Sequence, residues 1–226
     1  MKIYSLLLIS FLLNATFVFS QNDVNKLDNQ GKRHGLWKKN FEDSEQIRYE
    51  GEFNHGKEIG VFKFYCQDCG TSPVMTKSFN DNDEVAVVKY YSKKGKIISI
   101  GEMKGKVRVG SWVYYHNGTK LIMTKENYTN GVLDGEKLTY YKTNVLAEEL
   151  NYKKGIKEGK NIYYSPTGVV LKNLIYVNDE LHGLGSYYDG EGRLILEGNY
   201  KNGKKQGIWK IYEEGKLVKE EKFPKK

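Results

Sequence analysis

The sequence predicts an all-β fold: an elongated array of about eight 24-residue β-hairpin repeats forming one twisted antiparallel sheet. Three observations predict it. Glycines recur in phase, a tyrosine recurs at a fixed offset from them, and a further aromatic recurs near the end of every period but the third, which has Met103. In the pattern Gly-x-x-x-Gly, with Asp179 replacing the first glycine of one unit, the second glycines Gly135, Gly159, Gly183 and Gly207 are each 24 residues apart. Gly35 and Gly60, like Gly110 and Gly135, are 25 apart, and Gly60 to Gly110 spans two periods. A fixed period of this length marks a repeat architecture.

The first unit starts near residue 31 and carries Gly35, Trp37 and Phe53, with Asn40 in the tyrosine position. The second starts near 56 and carries Gly60, Phe62, Tyr65 and Phe79; it is the longest and most irregular. The third starts near 82, with Ala86 in place of the second glycine, then Val88, Tyr91 and Met103. The fourth starts near 106 and carries Gly110, Trp112, Tyr115 and Tyr128, and its Asn117-Gly118 pair is a strong hairpin-turn signal. The fifth, near 131, and sixth, near 155, place Lys137 and Asn161 where others hold Trp, followed by Tyr140 and Tyr164. The seventh, near 179, has Gly185 there, followed by Tyr188. The eighth, near 203, is the most regular: Gly207, Trp209 and Ile211 fall on one strand face, Ile208, Lys210 and Tyr212 on the other, before a turn at Glu213-Glu214-Gly215.

Composition supports strands over helices. The 226 residues include 18 Tyr and 24 Gly but only 3 Pro. Glycines and β-branched or aromatic residues interrupt every helix-length window. Glycine falls far short of the third of the chain that collagen needs, and two cysteines cannot make a disulfide-rich scaffold. A single hairpin is marginal in water. Stacked hairpins bury one another's aromatic columns, so stability is roughly a sum of unit and neighbour terms. The tyrosine column reads as a packed ladder; a groove that binds a ligand is the alternative. Lys137, Asn161 and Gly185 replace large rings, which predicts a more open face in the middle units.

The pattern resembles the MORN-repeat variant family, with a motif close to G-x-x-x-G-x-W-x-x-Y followed by an x-x-G turn. Gly203-Lys-Lys-Gln-Gly207-Ile-Trp209-Lys-Ile-Tyr212 is the cleanest copy, and Gly31-Lys-Arg-His-Gly35-Leu-Trp37 nearly matches it. Bacterial proteins built of such repeats include the YwqK-type antitoxin-like group. The resemblance covers residues 31–226 and implies an elongated twisted sheet that binds proteins or membranes.

Residues 1–20 read as a cleavable export signal: Lys2, an uncharged stretch over residues 3–19, and a small-x-small site at Val18 and Ser20. A retained anchor is the rival reading. Residues 21–30 form a short lead before the repeat domain at 31–226. Of 36 basic residues one lies in the signal, leaving 35 against 28 acids, net +7. No later segment is apolar enough to span a membrane. The expectation is a secreted, periplasmic or envelope-associated protein.

No catalytic, cofactor-binding or metal-ligating constellation stands out. Cys66 and Cys69 form a C-x-x-C that in an exported chain reads as a disulfide, with a reactive or intermolecular thiol as the alternative. His34, His55, His116 and His182 show no ligand spacing, and His34 and His182 occupy equivalent turns far apart. No G-x-S-x-G elbow or phosphate-binding glycine loop occurs. Asn117-Gly-Thr119 and Asn127-Tyr-Thr129 are glycosylation sequons, meaningful in a eukaryotic source.

The function expected is non-enzymatic: a binding or scaffold protein that uses a face or edge of the array, with another protein as partner. The candidate face comprises Lys137, Asn161 and Gly185 with the ladder residues Tyr115, Tyr140, Tyr164 and Tyr188. The alternatives are binding of anionic lipid or polysaccharide through a basic edge of turns, and an antitoxin- or immunity-like role. That edge comprises Lys104, Lys106, Lys153, Lys154, Lys201, Lys204 and Lys205, with Lys32-Arg33 and Lys93-Lys94 in further turns. Interleaved acids favour ordinary solubility instead, and lysines also discourage edge-to-edge pairing. Nucleic acid is disfavoured for an exported chain.

Overall fold

A computed structural model describes residues 24–67, 69–80 and 84–225. The expected export signal lies outside the described residues. The described chain is all-β, with 19 antiparallel strands in one open twisted sheet.

The strands are β1 (Lys26–Leu27), β2 (Arg33–Asn40), β3 (Ile47–Asn54), β4 (Lys57–Phe64), β5 (Met75–Phe79), β6 (Val85–Tyr91), β7 (Ile97–Lys104), β8 (Val107–Tyr115), β9 (Ile122–Thr129) and β10 (Val132–Leu133). They continue as β11 (Gly135–Tyr140), β12 (Leu146–Lys153), β13 (Ile156–Tyr164), β14 (Val170–Val177), β15 (Glu180–Leu181), β16 (Gly183–Tyr188), β17 (Leu194–Lys201), β18 (Lys204–Glu213) and β19 (Lys216–Phe223). Strands pair with their sequence neighbours, β10 and β11 both on β9 and β15 and β16 both on β14, so the sheet is a continuous meander.

Two kinds of turn alternate, one at each end of the strands. At one end, pairs such as Asn130-Gly131 and Asn202-Gly203 both have positive φ, the conformation a tight two-residue hairpin requires. At the other end, longer loops close on a backbone bond, as from the Gly95 N–H to the Ser92 carbonyl. The second glycines also take positive φ, 62° at Gly110 and 73° at Gly207. There the ladder breaks register: between Ile100↔Val113 and Glu102↔Val109, one residue of β7 faces three of β8. Ala86, which replaces this glycine, pairs with Phe79 in unbroken register, so no positive φ is needed there. A second shift recurs just before the tyrosine column, between Tyr114 and Tyr115 and again between Tyr187 and Tyr188. Such bulges increase local twist and bend the strand.

One face supplies the core. Trp112 and Val88 are 0% exposed, and Phe62 and Trp209 are 1% exposed. Each large ring lies over a glycine of the preceding strand: Phe62 over Gly51, Trp112 over Gly101 and Trp209 over Gly198. The indole N–H of Trp112 donates to the Glu102 carbonyl, and that of Trp209 to the Asn199 carbonyl. Trp37 makes the matching bond to Lys26, which places the expected lead inside the array. Lys26 pairs with His34 and Leu27 with Arg33, so β1 covers part of the first hairpin as a truncated neighbour.

Candidate binding surface

The face expected to be open in the middle is closed. Asn161 is 1% exposed, Gly185 is buried and Lys137 is half-buried. The filling comes from the preceding strand in each case. Leu150 stands opposite Asn161 and Leu174 lies against Gly185, where the ring-bearing units have glycine. Opposite Lys137 across β9 is Glu126, with the ammonium 3.1 Å from the carboxylate. Burial opposes the Lys137 charge, but the bond and charge of Glu126 outweigh it and hold the ammonium above its usual pKa.

Polar groups on this inner face bond to one another, except that Oδ1 of Asn161 is buried without a hydrogen-bond partner among the described residues. Asn161 donates to the Glu148 carboxylate at 3.0 Å and to the Glu149 carbonyl. Arg108 donates to the hydroxyls of Tyr114 and Tyr128, and Tyr128 donates to Glu126. Cations also cover the ring column: Arg108 lies 4.6 Å from the centre of Trp112, and Lys205 lies 4.0 Å from that of Trp209. Lys205, expected on a basic edge, therefore packs against the core.

The ladder tyrosines Tyr115, Tyr140, Tyr164 and Tyr188 point to the opposite, outer face, so the expected candidate set is divided between two surfaces. Tyr65 and Tyr212 show the geometry: each donates its hydroxyl at 2.8 Å to an outer-face carboxylate, Glu50 and Glu197 respectively. Burial and this bond push the Tyr65 phenol up to about 12. Ring-on-ring packing within the column was expected; among the described residues, ring contacts instead join inner-face residues such as Phe53 with Phe62 and Tyr200 with Trp209. The outer face bears exposed aliphatic side chains toward both ends of the array. Leu36 is 42%, Val61 51%, Leu184 48% and Ile208 53% exposed.

The expected basic edge divides too. Lys104, Lys106, Lys153, Lys154, Lys201 and Lys204 lie at the tight two-residue turns, and successive turns are tied by backbone bonds such as Gly155 N–H to the Leu133 carbonyl. Acids share this edge, and Lys104 pairs with Glu84 at 2.9 Å. Lys93 and Lys94 lie at the other edge. Residues 85–125 hold nine basic residues and one acid, Glu102.

Cys66 and Cys69 are joined by a disulfide. His34 and His55 meet, with ring centres 4.8 Å apart, and Nδ1 of His55 lies 2.6 Å from Asp28. The backbone N–H of Lys32, then the His55 ring, hold the Asp28 carboxyl at about 2. No group of three or more His, Cys, Asp or Glu placed to hold a metal occurs among the described residues. No helix among them is long and apolar enough to cross a membrane. Comparison with known proteins returns no matching family model and no matching curated relative.

Proposed function

We propose that the protein is a non-enzymatic scaffold that binds a partner protein on the outer face of its sheet, outside the cytoplasm. The observation that carries this is the difference between the two faces. The inner face covers itself, whereas the outer face holds the half-buried tyrosine column and exposed Leu36, Val61, Leu184 and Ile208. Tyrosine bodies set among exposed aliphatic groups suit protein recognition, because they offer apolar area with polar tips at small entropic cost. The resemblance of Gly203–Tyr212 to the MORN-repeat variant motif supports the same use.

The test is affinity capture from the envelope and secreted fractions of the source, comparing the wild type with the Leu184→Glu/Ile208→Glu double variant. Both side chains are about half exposed, so the variant keeps the fold. A protein retained by the wild type in high salt and lost by the variant supports the outer face as the interface. Equal capture by both, or no retained protein, contradicts it.

A further inference from the structure

The geometry points to a binding site for a linear, carboxylate-bearing polysaccharide at the edge opposite the tight turns, between the loops at 92–96 and 116–121. These loops close the β6–β7 and β8–β9 hairpins. Between them lies a cleft of about 540 Å³. Its lining is amphipathic: Ile97 and Tyr115 present apolar surface, with Lys96 and Lys120 beside them. A second hollow shares Lys96 and adds Lys93 and Lys94. The two loops are tied together, as Lys96 Nζ donates to the Gly118 carbonyl at 2.8 Å.

The local charge is one-sided. No Asp or Glu occurs over 85–101 or 103–125, and Glu102 lies toward the far end of β7. Lys93, Lys94, Lys96 and Lys120 are all exposed. Lys142, in the next loop along, continues the basic track. Beyond it the loop at 165–169 is uncharged, and in the loop at 189–193 the one cation, Arg193, is paired with both Asp189 and Glu191. The basic track therefore has ends. General solubility would not require four lysines on two adjacent loops with no acid between them.

Shape and spacing select the ligand class. Two interstrand steps of about 4.8 Å set successive loops about 10 Å apart, a step comparable to one disaccharide of an extended glycan. A sugar ring laid on Tyr115 and Ile97 would use its apolar face, while carboxylates on neighbouring sugars meet lysines of successive loops. A lipid surface would favour a protruding apolar patch over a recessed one. A single nucleic acid strand stacks its bases on several rings, and this cleft offers one. The site lies apart from Leu184 and Ile208 along the chain; it shares Tyr115 with the outer-face tyrosine column but does not require a protein partner on that face.

The purified protein would be tested against three linear carboxylated polysaccharides, polygalacturonate, alginate and hyaluronate. Neutral dextran and phosphatidylcholine–phosphatidylglycerol vesicles serve as comparisons, at about 0.1 M salt. The expected result is binding to at least one acidic polysaccharide and not to dextran. Affinity should fall by about tenfold or more in Lys93→Glu/Lys94→Glu/Lys120→Glu. It should be unchanged in Lys201→Glu/Lys204→Glu, on the other edge, and in Leu184→Glu/Ile208→Glu. Tyr115→Ala should weaken binding while Tyr115→Phe retains it. An unchanged melting temperature establishes that the lysine variants are folded. Absence of binding to all three polysaccharides, equal binding by the triple variant, or binding to anionic vesicles alone would overturn the proposal.

Discussion

The indole of Trp112 lies so close against Gly101, on the neighbouring strand, that a Cβ at position 101 would overlap the ring. Phe62 stands in the same relation to Gly51, and Trp209 to Gly198. Where glycine gives way to leucine, the facing residue shrinks: Leu150 faces Asn161, and Leu174 lies against Gly185. Side-chain volume is therefore exchanged between facing strands, and the inner face closes without a second layer of structure.

Glycines under rings should differ from other buried glycines. A Cβ at Gly198 would overlap the Trp209 ring system, whereas one at Gly185 meets the edge of Tyr200 at 2.8 Å and the movable tip of Leu174 at 3.2 Å. Gly198→Ala is expected to destabilise by about 2–3 kcal/mol and Gly185→Ala by about 1 kcal/mol. Urea unfolding of the two variants checks the order. Equal costs would contradict ring-on-glycine packing.

The three tryptophans should react unequally. Trp112 and Trp209 are sealed at 0% and 1% exposure, while Trp37, covered by the two-residue strand β1, is half-buried. Limited oxidation with N-bromosuccinimide followed by peptide mapping should modify Trp37 first. Early loss of Trp112 or Trp209 would show that the inner face is open.

Tyrosines should make stability fall at high pH. An ordinary phenol titrates near pH 10, but burial and the bond to Glu50 raise Tyr65 to about 12. Burial, with help from the Tyr200 hydroxyl, also raises Tyr187. The folded chain thus keeps protons that the unfolded chain releases, so this stabilisation is complete below pH 10 and declines as pH rises toward 12. Melting temperatures across that range, with phenolate absorbance, should show both the decline and late-titrating tyrosines. Tyr65→Phe should flatten part of the slope. Simultaneous titration of every tyrosine near pH 10 would refute the bonding described.

The hairpins, the turns and the ring column were legible from spacing, because each is written within about 25 consecutive residues. The candidate surface was less so. Asn161 and Gly185 looked like gaps because the residues that fill them, Leu150 and Leu174, belong to a different column, and only the bulged register brings them opposite. Strand alternation, already explicit at Trp209 and Tyr212, separates the columns of Lys137 and Tyr115, and their side chains point to opposite sides of the sheet. Lys93 and Lys104 seemed to share an edge, but successive turns alternate between the two ends of the strands. The contact of His34 with His55 joins residues whose own columns gave no hint of it.

The most direct test of reciprocal volumes is a double-mutant cycle at Gly101 and Trp112. Gly101→Leu with Trp112→Asn transplants the natural Leu150–Asn161 pair into a ring-bearing position. Trp112→Asn alone should cost about 3–5 kcal/mol, and Gly101→Leu alone should cost at least about 3 kcal/mol. Together they should cost less than the sum of the two, with a coupling of about 1–3 kcal/mol in urea unfolding. Strict additivity would contradict volume exchange between the strands, and with it the closed inner face that leaves the outer face free to bind.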